Sequence, residues 1–501
     1  MQGLSSVTTP PGRRAVVIGS GFGGLAAAVR LAARGWAVTV LERHHQPGGR
    51  ARVFRQDGFT FDAGPTVITA PFLFEELWTL CGKRMADTID LRPVDPFYRI
   101  RFDDGVTFEY TGDAERMRAE VARLSPGDSD GYERFLAMSA AIFDVGFDRL
   151  AHVPFSTWLD MARIVPEMVR LESFRTVHGL VSKFVRGERL RQILSFHPLL
   201  VGGNPFRTTS IYSLIPHLER KWGVHFPMGG TGALVRGLVE LAEGAGAVFR
   251  YGATVDRIVV EEGRARGVTL IGGELLPADI VVSNADSAWT YRHLLGGEQR
   301  RRWTDRKLDR ARYSMSLFVW YFGTRRRYPD VAHHTLLFGP RYRELLEDIF
   351  ERRVLADDFS LYLHRPTATD PALAPPGCDA FYVLSPVPNL DADVDWSAKA
   401  DTYREAIARH LTETVLPGLM DNVVTSRTMT PQHFCDELLS ERGAAFGLEP
   451  VLTQSAYFRP HNLSEEVKGL YLVGAGTHPG AGVPGVLSSA RVIDALVPHA
   501  A

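Results

Sequence analysis

A glycine-rich turn near the start of the chain constrains the fold more than any other feature. Residues 15–18 are apolar and mostly β-branched, as in a strand buried on both faces, and residues 19–24 then read GSGFGG. A helix is predicted over 25–34, and a second strand over 36–41 leads to Glu42. The order is strand, GxGxxG turn, helix, strand and acid, which is typical of a nucleotide-binding βαβ unit.

Each residue of this pattern has a physical role. Gly19 permits the tight turn, Gly21 lets the backbone approach a pyrophosphate, and Gly24 lets the helix pack close to the strand. The helix N-terminus offers free N–H groups to the phosphates. Glu42 follows Gly24 by 18 residues, close to the spacing of about 20 at which a carboxylate accepts hydrogen bonds from ribose. The pattern therefore predicts dinucleotide binding.

A second glycine loop bears on whether that dinucleotide is NAD or FAD. Residues 47–52 read PGGRAR and residues 58–66 read GFTFDAGPT. A glycine loop with an arginine directly after the ribose acid resembles the extended FAD fingerprint of flavoproteins of the glutathione-reductase and amine-oxidase type. The resemblance implies FAD as the cofactor, with Gly49, Arg50 and Thr66 in its site.

The end of the chain repeats the order of strand, glycine loop and helix. Residues 469–485 read GLYLVGAGTHPGAGVPG, and a last helix is predicted over 486–496. This string, with DAGPT at 62–66, SFHPLLVGGNPF at 195–206 and QSAYFRPHN at 454–462, resembles the bacterial-type phytoene desaturases. The matches run from about residue 15 to residue 495, so the resemblance covers the whole chain. It implies an FAD-dependent oxidoreductase that acts on a C40 carotenoid.

The resemblance also implies the rest of the cofactor site. In similar flavoproteins the strand at Val255 lies by the adenine, and the segment at Asn284 returns to the cofactor crevice. Many relatives have Gly-Asp where this chain has Gly476-Thr477, which leaves open whether a backbone N–H or the Thr477 hydroxyl holds that end of the cofactor. The expected cofactor-binding residues are Gly19, Gly21, Gly24, Glu42, Gly49, Arg50, Thr66, Val255, Asn284, Gly474, Gly476, Thr477 and Val483.

No catalytic residue is assigned. His478 lies in a loop rich in proline and glycine and is interpreted as a structural residue rather than an acid or base. Desaturation removes a hydride and a proton from adjacent carbons, and the flavin is the natural hydride acceptor. The proton acceptor stays open between a side chain, the flavin and water.

The fold class that follows is α/β. We expect a Rossmann-like FAD-binding domain assembled from discontinuous segments, a mixed-sheet substrate domain and a helical, membrane-facing region. A hairpin over 91–110 and strands over 316–322 and 381–387 point to the mixed sheet. The FAD-binding domain is assigned to residues 12–72, 222–290 and 465–501, the substrate-binding domain to 73–130 and 291–464, and the helical region to 131–221.

One segment of the helical region carries an apolar stripe. Trp158, Met161, Val165 and Met168 recur at helical spacing, and Pro166 is expected to divide the helix in two. Such a stripe commonly packs inward. A hydrocarbon substrate dissolves in lipid, however, so an apolar surface at the bilayer interface is an equal alternative. Peripheral association with the inner membrane is therefore predicted alongside a cytoplasmic location.

Composition excludes several other classes of protein. The net charge is −1, from 57 Lys and Arg against 58 Asp and Glu, so a nucleic-acid partner is not expected. No apolar run approaches the roughly 18 residues of a membrane span, and the first residues do not resemble a signal peptide. There is no GxSxG elbow and no Walker-type loop.

No metal site is expected either. The three cysteines are too far apart to form a CxxC pair, and there is no HExxH motif. The doublets His44-His45 and His333-His334 place neighbouring side chains in divergent directions on a regular helix or strand.

The resemblance implies stepwise desaturation of phytoene towards neurosporene or lycopene, with a quinone or oxygen as the electron acceptor. Three alternatives stay open. They are a desaturase of C30 or hydroxylated carotenoids, an FAD-containing carotenoid isomerase, and a carotenoid carrier without enzymatic activity.

Overall fold

The computed structural model describes residues 13–499. The N-terminal segment considered for a signal peptide lies almost wholly outside this range. The strands are β1 (Arg14–Ile18), β2 (Ala37–Glu42), β3 (Val53–Gln56), β4 (Phe59–Asp62), β5 (Leu91–Pro93), β6 (Tyr98–Phe102), β7 (Thr107–Tyr110), β8 (His225–Pro227), β9 (Val248–Tyr251), β10 (Val255–Glu261), β11 (Arg264–Leu270), β12 (Leu275–Pro277), β13 (Ile280–Ser283), β14 (Ser316–Thr324), β15 (His334–Phe338), β16 (Leu361–His364), β17 (Asp379–Val387), β18 (Val423–Met429) and β19 (Leu470–Leu472).

The α-helices are α1 (Phe22–Ala33), α2 (Phe72–Leu80), α3 (Ala114–Leu124), α4 (Ser129–Phe143), α5 (Trp158–Arg170), α6 (Val177–Phe184), α7 (Glu188–Ser195), α8 (Ile215–Trp222), α9 (Thr231–Gly244), α10 (Ser287–Trp289), α11 (Asp305–Arg310), α12 (Tyr342–Glu347), α13 (Trp396–Thr414), α14 (Leu419–Asn422), α15 (Pro431–Leu438) and α16 (Val483–Leu496). In the described range, no helix is both long and apolar enough to cross a membrane.

A five-stranded parallel sheet has the strand order β19-β13-β1-β2-β9. Its strands come from the first βαβ unit, the middle of the chain and the C-terminal end, so the expected assembly from separated segments is confirmed. Helices α1, α9 and α16 cover one face. The buried Arg30 of α1 donates to Asp494 of α16 at 2.7 Å, which joins two helices 464 residues apart in sequence.

A seven-stranded mixed sheet has the order β18-β14-β17-β16-β15-β6-β7. Alternate side chains of β14 face opposite sides, as the period of a strand requires. Phe318, Trp320 and Phe322 pack on the side of α13, whereas Leu317 and Val319 face the other layer. The predicted mixed sheet is therefore confirmed. The domain boundaries stay a prediction.

Two details differ from the sequence-based expectations. In the predicted hairpin, β6 pairs with β7 around the turn, but β5 pairs instead with the distant β8. Helix α5 also continues through Pro166 rather than dividing there. Ala162, whose carbonyl loses its helical donor at the proline, is an exposed residue.

Candidate functional site

The candidate site lies at the carboxyl edge of the five-stranded sheet. Strands β1, β13 and β19 lead directly into Gly19, Asn284 and the loop containing Gly474. These residues border a cavity of about 570 Å³, which extends from this edge to the seven-stranded sheet. In open α/β sheets, ligands bind in the crevice outside the carboxyl ends of the strands.

The glycine turn is packed too tightly for side chains. A Cβ on Gly24 would lie 2.1 Å from the carbonyl oxygen of Gly19, so the predicted close approach of helix and strand is present. A Cβ on Gly21 would lie 2.9 Å from Nδ2 of Asn284. Gly19 has a φ of +88°, which glycine adopts without strain.

Two helix N-termini meet at the cavity. Helices α1 and α16 have no side-chain hydrogen bond at their N-caps and no acidic residue in their first turns. Phe22 and Gly23 of α1, and Val483 and Gly485 of α16, line the cavity. Uncapped N–H groups and two positive dipole ends suit an anionic group. The residues present therefore fit the diphosphate of FAD.

Glu42 is buried and already has hydrogen-bond partners in the protein. Its Oε2 accepts from Ser20 N at 3.0 Å and from Ser20 Oγ at 2.6 Å, and its Oε1 accepts from His44 N at 2.9 Å. The carboxylate thus holds the glycine turn to the end of β2. It also borders the cavity, and a carboxylate can accept about four hydrogen bonds, so capacity for a ribose hydroxyl remains.

Two half-buried residues of opposite charge, Arg50 and Asp286, border the same cavity. Burial lowers the pKa of Arg50, and the charge of Asp286 opposes that shift. Burial likewise raises the pKa of Asp286, and Arg50 opposes that shift. Arg50 donates to Ser440 Oγ at 2.8 Å, and its Nε has no partner within the described residues. An anionic cofactor would complete its coordination.

The structure brings most of the predicted cofactor residues to this cavity. Those that line it are Gly19, Gly21, Glu42, Gly49, Arg50, Thr66, Val255, Asn284, Gly474, Gly476 and Val483. Gly24 and Thr477 do not line it. Gly24 acts in helix packing, and the buried Thr477 hydroxyl donates to the carbonyl of Pro460 at 2.6 Å. Their assignment as cofactor residues stays a prediction.

His478 also borders the cavity. Its Nε2 lies 3.1 Å from the carbonyl oxygen of Leu150 and donates to it, and its ring packs edge-on against Phe155. Burial lowers the pKa of His478 to about 4. The side chain joins the C-terminal loop to the helical region, in keeping with its interpretation as a structural residue.

Thr66, in the loop after β4, is joined to the seven-stranded sheet by hydrogen bonds that sequence reasoning missed. Its Oγ1 lies 2.6 Å from the Tyr382 hydroxyl and 3.0 Å from the Tyr362 hydroxyl. The tyrosines belong to β17 and β16, about 300 residues further along the chain. No local pattern marks such a contact.

The remainder of the cavity wall is mainly apolar and was also not predicted residue by residue. The alternation of side chains along β14 could have predicted which residues of that strand face the cavity. The wall includes Met315, Leu317, Val319, Leu336, Phe338 and Leu384 from the seven-stranded sheet, and Phe147, Leu199, Leu200, Ile211, Leu214 and Leu218 from the helical region.

One carboxylate is buried within this apolar part. Glu219 accepts from the Tyr98 hydroxyl at 2.6 Å, and its other oxygen lies 3.2 Å from Nε2 of His197. Burial, followed by the charge of Glu219, holds the pKa of Tyr98 well above its ordinary value. The tyrosine therefore stays neutral and acts as the donor.

The expected divergence of His333 and His334 is wrong. Their rings meet at a centroid distance of 4.5 Å, and His364 joins them. His333 lies in a bend just before β15 begins, so the alternation of a regular strand does not apply to it. The main argument against a metal site at this doublet is thereby removed.

Comparison with known proteins gives a consistent result. The sequence matches the family model described as flavin containing amine oxidoreductase over residues 22–492. A lycopene-forming phytoene desaturase from Pseudescherichia vulneris is 50% identical over 486 residues, covering 97% of this chain and 99% of that protein. A neurosporene-forming phytoene desaturase from Rhodobacter capsulatus is 48% identical over 493 residues, covering 97% and 94%.

The fold also has relatives among solved structures. An oxidoreductase from Methanosarcina mazei superimposes with a TM-score of 0.62 at 19% identity, covering 96% of this chain and 100% of that one. At this identity the likeness concerns the fold alone.

Proposed function

The chain belongs to the family of flavin-containing amine oxidoreductases. Because its relatives at about 50% identity are phytoene desaturases, we propose that it is an FAD-dependent phytoene desaturase, which introduces double bonds stepwise towards neurosporene or lycopene. The family resemblance expected from the sequence is confirmed, and FAD is the cofactor. The observation that carries the substrate assignment is one cavity with a polar edge and a long apolar wall.

The two parts of the cavity have different tasks. The chemistry that FAD would supply when bound is acceptance of the hydride that leaves one of two adjacent substrate carbons. The uncapped N-termini of α1 and α16 would hold its anionic part. Leu317, Val319 and Phe338 of the seven-stranded sheet can orient a hydrocarbon chain and exclude water. Phytoene has no polar group, so shape and apolar contact must supply its recognition.

The decisive experiment measures net oxidation. The FAD-loaded protein is given phytoene in liposomes under anaerobic conditions with a defined amount of a quinone. We expect one quinone to be reduced for each double bond formed, and Gly21→Val to form no product. A change in cis/trans pattern without quinone reduction would assign an isomerase instead. Preferential turnover of a C30 substrate would assign the shorter carotenoid.

We also propose that the enzyme docks on the inner membrane through α5. This helix has no buried residue, and Trp158 and Val165 are 66% and 48% exposed. Inward packing of the stripe would have buried both. An exposed apolar helix face with a tryptophan is typical of an amphipathic helix that lies in the membrane interface.

The position of α5 supports this proposal. The helix contacts Ala456–Phe458, and Ala456 borders the cavity. Phe458 in the same turn and Phe174 just after α5 are exposed as well. A carotenoid leaving the bilayer beside α5 would therefore have a short route to the apolar wall. Flotation of the protein with liposomes measures the association directly.

The electron acceptor is proposed to be a membrane quinone or oxygen. A quinone dissolves in the same bilayer as the substrate, so docking at α5 would give access to both. In the liposome assay, comparing quinone with oxygen as the only acceptor distinguishes the two.

A further inference from the structure

Three histidines form a cluster outside the proposed cofactor site. His334 of β15 pairs directly with His364 of β16 across the antiparallel ladder, and His333 adjoins them from the preceding bend. One ring nitrogen from each side chain lies within 4.8 Å of the others. All three residues are buried. Adjacent strands and a bend thus direct three potential ligands to one point.

Four of the six ring nitrogens in this cluster lack hydrogen-bond partners in the described part of the chain. Nε2 of His333, Nε2 of His334 and both ring nitrogens of His364 form no hydrogen bond with the described residues. A buried polar atom without a partner is unfavourable, and most such atoms in folded proteins are satisfied. Four unsatisfied nitrogens in one cluster therefore call for a ligand that accepts electron pairs from several of them.

The other two ring nitrogens have hydroxyl partners, an arrangement that is also found in metal sites. Nδ1 of His333 lies 2.7 Å from the Thr369 hydroxyl, and Nδ1 of His334 lies 2.7 Å from the Tyr362 hydroxyl. Metal-ligating histidines commonly use their second nitrogen in this way, which fixes the orientation of the ring. In both residues the fixed nitrogen is Nδ1, and Nε2 is left for the ligand.

A metal ion binds the neutral form of imidazole, so the charged groups near the cluster bear on the site. The nearby Arg365 would oppose a cation, but its guanidinium lies 3.4 Å from the carboxylate of Asp379.

We propose that His333, His334 and His364 bind one divalent transition-metal ion, with Zn²⁺ the best match, and that this ion clamps β15 to β16 behind the cavity wall. Imidazole ligands suit zinc, and three histidines form known zinc sites. With Zn–N bonds of about 2.0–2.1 Å, tetrahedral ligand atoms lie about 3.3 Å apart. The nitrogens, now within 4.8 Å, would need to approach by at most about 1.5 Å. A water or hydroxide would take the fourth position.

The ion would be structural. None of the three histidines lines the cavity, and the cluster is joined to it by two tyrosines: the Tyr362 hydroxyl lies between His334 and Thr66, and the Tyr382 ring packs against His364. It would stabilise the strands that hold Tyr362 in place. This proposal does not depend on the identity of the substrate.

The test uses the FAD-loaded protein and zinc chloride. After incubation with excess zinc and removal of unbound metal, we expect wild-type protein to retain about one zinc per chain. Elemental mass spectrometry measures the retained zinc. His364→Phe keeps an aromatic ring in the apolar surroundings and should lower retained zinc at least tenfold. His45→Gln, at an exposed position in the other histidine doublet, is the control and should retain as much zinc as wild type.

Two further measurements keep the test decisive if His364→Phe folds poorly. X-ray absorption at the zinc edge of the wild-type protein should show three imidazole ligands, and zinc should raise the melting temperature of wild type by several degrees. The proposal is overturned if wild type retains less than a tenth of an equivalent of zinc. It is also overturned if the bound zinc has fewer than three imidazoles, or if a folded His364→Phe retains the wild-type amount.

Discussion

The two halves of the cavity differ in how the chain builds them. The polar edge is made by turns that directly follow strand ends, such as Gly19–Gly24 after β1 and Asn284 after β13. The apolar wall is made by side chains from distant parts of the chain, such as Phe147 and Leu384. A short motif can therefore encode cofactor binding, whereas substrate binding requires the whole fold. This difference predicts where single substitutions act.

The largest effect is expected at Gly21. In Gly21→Val the side chain would meet the Asn284 amide and occupy the space in front of the α1 N-terminus, so FAD binding should be lost. Fluorescence titration with FAD measures the affinity. Gly127→Val is the control, because a Cβ there meets nothing within 4 Å. Wild-type affinity in Gly21→Val would show that this turn does not contact the cofactor.

A smaller loss is expected for Glu42→Gln. The substitution keeps the size of the side chain but removes the charge that accepts from Ser20 and His44. A hydrogen bond to a charged group contributes about 1.5–3 kcal/mol, so the Kd for FAD should rise roughly ten- to a hundredfold. The exposed Glu274, changed to Gln, should leave the Kd unchanged. An unchanged Kd in Glu42→Gln would mean that the carboxylate only holds the glycine turn in place and does not contact FAD.

The same difference explains what the sequence could predict. Residues 15–42 show the strand, turn and helix directly, because each element is specified by local pattern. The contact between Arg30 and Asp494, the meeting of His364 with His333 and His334, and the hydroxyl cluster at Thr66 arise only when distant strands pair. The expectation that Pro166 divides the helix was also wrong, because α5 continues through it at an exposed part of the helix.

His478 lies where the two halves meet and should make stability depend on pH. Its pKa is about 4 in the folded protein and about 6.5 when unfolded, so the unfolded chain binds more protons between these values. Stability should therefore fall as the pH drops from about 6.5 towards 4. The loss attributable to His478 at pH 5 is about 2 kcal/mol.

Denaturant unfolding at pH 7 and pH 5 checks this sign. His478→Gln retains a donor for the Leu150 carbonyl. Between pH 7 and pH 5 its free energy of unfolding should fall by up to about 2 kcal/mol less than that of wild type. His45→Gln, at an exposed position, should behave as wild type. If the free energy of unfolding of His478→Gln falls as much as that of wild type, the pH dependence arises elsewhere in the molecule.

The smallest expected effect distinguishes the exposed surface of α5 from the exposed surface of β9. Val165 on α5 and Val248 on β9 are 48% and 57% exposed, so changing either to serine should leave FAD binding and stability nearly unchanged. Only Val165 belongs to the proposed membrane face, where partial burial of a valine in lipid contributes about 1 kcal/mol. Liposome flotation should therefore weaken roughly fivefold for Val165→Ser and remain at the wild-type level for Val248→Ser. Equal loss in both variants would mean that binding follows general surface hydrophobicity. Wild-type liposome binding in both variants would mean that the membrane contacts a different face, because removing a valine that lies in the interface must weaken binding.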